Sequence, residues 1–155
     1  MEAGIPFRDA AAAAVAVRAE EVFEHAEGVL DVADIERVHD MRVATRRLRA
    51  AMEIFAPCFP KREFRRALGD VKALADALGE RRDPDVAIEK LEQTASGLTA
   101  EDRPGIEGLV QELRERQGGA NEALRGKLAE IEESELRQRL VGLAEAARAG
   151  EPAVL

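Results

Sequence analysis

The sequence predicts an all-α fold, an antiparallel bundle of about six helices. Three observations point there. Ala is abundant, Thr is scarce, and Tyr and Trp are absent, a profile that favours helix over sheet. Apolar residues recur at i, i+3, i+4 and i+7, and no stretch alternates with the period of two that a strand needs. Gly and Pro then break this pattern at short loops, which makes consecutive helices antiparallel neighbours.

The first helix is expected over 7–30, with Ala11, Val15, Val22, Ala26 and Val29 on one stripe and Gly28 near its end. Asp34 is placed as N-cap of a second helix over roughly 35–56. Pro57 and Pro60 punctuate the next turn. A third helix is expected over 61–79, ending at Gly79, and a fourth over 84–97, opened by Asp83 with Pro84 at its first position. Gly97, Pro104 and Gly105 mark a further break. Ile106, Leu109, Val110 and Leu113 start a fifth helix, with a possible kink at Gly118–Gly119, and Leu124, Leu128 and Ile131 continue its stripe. Leu136, Leu140 and Leu143 are out of phase with it, so a bend near Glu133–Ser134 and a sixth helix follow. Gly150 and Pro152 close the pattern.

At 155 residues the chain is read as a single domain, 1–155, with its core over about 8–148. Cys58 stands alone and forms no internal bridge, which excludes a disulfide-framed fold. No apolar run reaches a membrane span, and Met1 is followed by no basic and apolar leader, so a soluble, cytoplasmic protein is expected.

The net charge is −8, and it is unevenly distributed. Residues 37–82 carry twelve cations and six anions, a block of +6, which leaves −14 on the remainder. On a helical wheel of about 100° per residue, His39, Arg42, Arg46 and Arg49 share a sector about 80° wide. It borders an apolar seam of Met41, Ala44, Leu48, Met52 and Phe55. Arg47 falls to one side of the stripe. The third helix repeats the design, with Lys61, Arg65 and Lys72 beside Phe64, Leu68, Val71, Leu74 and Leu78. An ordinary solvated helix would interleave Glu with these cations at i,i+4. Packed antiparallel, the two cationic strips meet over one groove, and Arg81 and Arg82 are expected to cap one of its ends. Arginine forks suit phosphate oxygens. Their recurrence along a helix suits an extended string of negative charges better than one small anion.

The stretch VHDMRVATRRLRAAMEIF, followed by LADALGERRDPDV, resembles the CHAD family, the conserved histidine α-helical domain. It carries H-x-x-R-x-x-x-R-R-x-R at His39, Arg42, Arg46, Arg47 and Arg49, and L-G-x-x-R-D-x-D at Leu78, Gly79, Arg82, Asp83 and Asp85. KLAEIEESELRQRLVGLAEAA is similar to the family's closing helix pair. The resemblance spans roughly 8–148. It implies a helical bundle that binds inorganic polyphosphate on a basic surface, in some members at polyphosphate granules or linked to a tunnel-type triphosphate enzyme. The residues it assigns to polyphosphate are His39, Arg42, Arg46, Arg49 and Arg82, extended to Arg47, Lys61, Arg65 and Lys72. Many members hold two related helical halves. The resemblance here covers one, so a homodimer that rebuilds the second half is expected.

Other functions fit less well. His39 and Asp40 are adjacent on a helix and point about 100° apart, and no Ser or Cys nucleophile accompanies them. Only His25 and His39 are present, without metal-ligand spacing, so no metal, no cofactor and no catalysis are expected. Single-stranded nucleic acid would want aromatic stacking platforms, and three of the five Phe residues fall at core or turn positions. A bundle docking an acidic protein or nucleic acid, or a phosphate-processing enzyme, are the alternatives.

Overall fold

The computed structural model describes residues 7–150. Five α-helices and no strand are found among them: α1 (Phe7–Ala26), α2 (Ile35–Ile54), α3 (Lys61–Ala95), α4 (Arg103–Glu133) and α5 (Leu136–Ala149), with one 3₁₀ turn at Ala56–Cys58. The chain is all-α as expected, with five helices in place of about six. No helix among the described residues is long and apolar enough to cross a membrane.

The helix count differs because the expected third and fourth helices are one. α3 runs through both Gly79 and Pro84. A proline inside a helix removes one backbone hydrogen bond and crowds the carbonyl four residues before it. Here that turn is spanned by a fully buried ion pair, Arg81 to Asp85, in the i,i+4 relation. Pro84 is itself buried. Tertiary packing overrides a local stop signal.

Smaller departures have local causes. α1 ends at Ala26, and Gly28 follows with φ 75°, a left-handed conformation that glycine adopts without strain. Arg37 crosses the place where a Cβ on Gly28 would sit, donating from Nη1 to the Glu27 carbonyl at 3.0 Å. Asp34 occupies the N-cap position of α2, but its side chain makes no capping bond and accepts instead from Arg37 Nε at 2.9 Å. α4 continues unbroken through Gly118–Gly119. The bend near Glu133–Ser134 is present, formed by Glu135 with φ 57°.

α1 packs on α2 and α5, α2 on α3, and α3 on both α4 and α5. The core gathers Val15 and Val22 of α1, Met41, Leu48 and Met52 of α2, Val71, Leu74 and Leu78 of α3, Leu124 and Ile131 of α4, and Leu136, Leu140 and Leu143 of α5. It stops at Leu78 on α3 and resumes at Leu124 on α4. With about 1.5 Å of rise per residue, the 35 residues of α3 and 31 of α4 are much longer than the 20 of α1 and α2. The surplus forms a two-helix arm beyond the bundle.

A buried polar network marks the junction of bundle and arm. Arg81 donates from Nε to Asn121 Oδ1 at 3.1 Å, Gln117 donates to Asp85 Oδ1 at 2.6 Å, and Asn121 donates to the Leu30 carbonyl at 3.1 Å. It ties α3, α4 and the α1–α2 connection together. The expectation that Arg81 caps the cationic groove is therefore overturned: Arg81 is fully buried. A charge reaches the interior only when paired, and Asp85 at i+4 supplies the partner.

Candidate functional site

The candidate site is built on α2 and α3. Their antiparallel register is fixed where Arg42 meets Gly79: a Cβ on Gly79 would lie 3.9 Å from Arg42 Nε. His39 and Arg82 lie together at the same level, lining one groove with Arg42. At Gly79 a small residue on α3 faces a long cation on α2, which leaves room between the helices.

His39, Arg42 and Arg82 line one groove of about 510 Å³, together with Asp83, Val86, Ala87 and Lys90. His39 and Arg82 are half-buried and Arg42 is exposed. Arg82 keeps one nitrogen, Nη1, buried without a hydrogen-bond partner. Arg46 is exposed one turn further along α2. Arg49 is half-buried and donates from Nε to Glu53 Oε1 at 3.0 Å. Lys72 is exposed on α3. Lys61 and Arg65 lie at the opposite end, lining a separate pocket with Ala56, Pro57, Phe59 and Phe64. Arg47 is exposed and lies off the stripe, as its wheel position indicates.

On α3 the spacing 61, 65, 72, 79, 82, 86, 90 follows one helical face. The eight expected residues other than Arg47 therefore form a track, with Lys90 added at its far end. Sequence reasoning missed Lys90 because it stopped the third helix at Gly79. On one continuous helix, Arg82, Val86 and Lys90 are four residues apart and share a face. Carboxylates are not absent from this region: Asp83 lines the groove itself.

Ion pairing is sparser on the track than over the rest of the molecule. Of its eight Arg and Lys side chains, only Arg49 is paired to a carboxylate among the described residues. Elsewhere among them Arg18, Arg37, Arg81, Arg114, Arg125, Lys127, Arg137 and Arg139 are paired, while Arg8, Arg47, Arg62, Arg66, Arg103, Arg116 and Arg148 are not. Clustered unpaired cations attract a polyanion and release its counterions on contact.

Cys58, the one thiol, sits half-buried against the core in the 3₁₀ turn. Burial pushes its pKa up and Arg8 pulls it down by less, so it stays protonated and a poor nucleophile.

Comparison with curated proteins and with solved structures gives no match. The profile of the CHAD domain matches residues 13–154, nearly the whole chain. The match takes in both the α2 stripe and the buried turn of α3, and the chain belongs to the CHAD domain family.

Proposed function

We propose that the protein is a binding module for inorganic polyphosphate, held along the α2–α3 track and not turned over there. The family is associated with polyphosphate binding and consists generally of binding modules. The observation that carries the reading is the unpaired state of the track's cations in a chain of net charge −8. An acidic protein that leaves its positive charges unneutralised on one face presents them to a ligand. Polyphosphate is thin, has no bases to stack, and fits a trough that the acidic remainder would deny to a duplex. The deciding experiment is titration with long-chain polyphosphate at several salt concentrations, with orthophosphate and DNA as competitors. Affinity is expected to fall steeply with salt and to favour long chains over triphosphate. Equal affinity for orthophosphate and long chains would sink the reading.

The same reading includes a homodimer in the cytoplasm, at polyphosphate granules where these form. The two-helix arm leaves Leu109 48% exposed, with Ile106, Val110 and Leu113 only half-covered, and Val32 of the α1–α2 connection is 46% exposed. A second copy covering this stripe places two cationic tracks on one particle, and a long chain engaging both gains avidity. Light scattering at micromolar protein is expected to give the dimer mass. A monomer mass with and without polyphosphate rules it out.

A further inference from the structure

We propose that the cavity between the start of α3 and the middle of α5 is a second site, for a small monocarboxylate with a short apolar body. It encloses about 300 Å³ and is lined by Pro60, Glu63, Arg66, Arg139, Gly142, Leu143 and Ala146. That volume lies at the lower end of small-molecule sites and is about twice a cavity that holds benzene. It is separate from the polyphosphate track: Arg66 is turned about 100° from Arg65 on α3.

Three observations converge on this ligand class. Leu143, Ala146, Pro60 and the bare backbone of Gly142 give the cavity an apolar wall. A Cβ on Gly142 would meet no heavy atom within 4 Å, so the space there is open. Arg139 has an unmet donor. Its Nε is given to the Ser134 carbonyl at 3.0 Å and its Nη2 to Asp70 Oδ2 at 2.5 Å and Ser134 Oγ at 3.1 Å. Its Nη1 is buried with no partner. An unsatisfied buried donor costs free energy, and a small shift of the Arg139 side chain that brings Nη1 onto the cavity surface is favoured by a charged acceptor there. Arg66, without an ion-pair partner among the described residues, adds a second guanidinium at the rim. A carboxylate meets an arginine fork in a paired geometry, and its apolar body meets Leu143 and Ala146. Glu63, also on the lining, opposes a negative ligand and sets a modest affinity.

Octanoate is the probe, followed by titration calorimetry on the whole chain without polyphosphate. Saturable one-site binding is expected, with octanol binding at least about tenfold more weakly because it brings no charge to the arginines. Gly142→Leu fills the cavity and abolishes octanoate binding while polyphosphate binding persists. Arg66→Ala weakens octanoate about tenfold, and Glu63→Gln tightens it by removing a like charge. No saturable octanoate binding, equal binding of octanol, or unchanged binding in a folded Gly142→Leu variant overturns the proposal. None of these results bears on the polyphosphate track, which lies on another face.

Discussion

Arg81 Nη1 donates to Asp85 Oδ1 at 2.5 Å across the turn of α3 that contains Pro84, and both side chains are fully buried. The pair links sequence to site by a short path. It carries α3 through a proline that would otherwise end it, and that continuity puts Lys90 on the same face as Arg82.

Asp85→Ala is expected to destabilise the fold by about 3–5 kcal/mol, because it leaves the Arg81 guanidinium buried and unpaired. Arg81→Met with Asp85→Leu removes both charges and is expected to cost much less than either single loss. Denaturant unfolding of the three variants measures this. An Asp85→Ala variant as stable as the parent would show that Arg81 finds another acceptor.

Arg42, Arg46 and Arg49 replaced together by Ala are expected to abolish polyphosphate binding with helicity retained, since all three border the core without filling it. The salt dependence of residual binding should flatten by roughly one slope unit per lost contact. Arg46→Lys alone weakens binding, because lysine keeps the charge and loses the planar fork. Circular dichroism and a salt titration read the two effects separately.

At the far end of the groove, Lys90→Ala is expected to weaken binding and Asp83→Asn to strengthen it. Both line the cavity that holds His39, Arg42 and Arg82, with opposite charge. If neither substitution changes affinity, the ligand does not extend past Arg82.

Gly79→Ala should stabilise the protein by about 0.5–1 kcal/mol through helix propensity and leave binding unchanged. A methyl there makes ordinary contact with Arg42 Nε, at 3.9 Å. Thermal unfolding and a polyphosphate titration check both halves of the statement.

His39 lines the groove beside Arg42 and Arg82 and can donate a ring N–H to a phosphate oxygen there. His39→Ala is expected to weaken polyphosphate binding severalfold with helicity retained, and a polyphosphate titration of the variant beside circular dichroism checks both.

Helical periodicity made most of the fold legible. The apolar stripes of α2 and α5 lead directly to Met41, Leu48, Met52, Leu136, Leu140 and Leu143 in the core. The phase change after Ile131 placed a bend near Glu133–Ser134, within two residues of the left-handed Glu135. What misled was local chemistry that distant contacts overrule. Asp83–Pro84 has the composition of a helix start, and nothing nearby in sequence announces that Asn121 returns to accept from a buried Arg81 and Gln117 to donate to its partner Asp85. The cationic stripe was readable for the opposite reason, since it depends only on spacing along α2. Lys90 was hidden by the false break at Gly79, and the cavity at Gly142 is formed by residues far apart in sequence.

The core's end at Leu78 and Leu124 also bears on motion. Beyond that point α3 and α4 hold each other with few enclosed apolar side chains, Ile88 among them, so their amides should exchange with solvent through partial openings that leave the bundle intact. One wall of the groove, Arg82 to Lys90, lies on this looser segment, while His39 and Arg42 lie on the firm one. A polyanion bridging the two would slow exchange in the arm, making amide protection there a reporter of occupancy distinct from affinity itself.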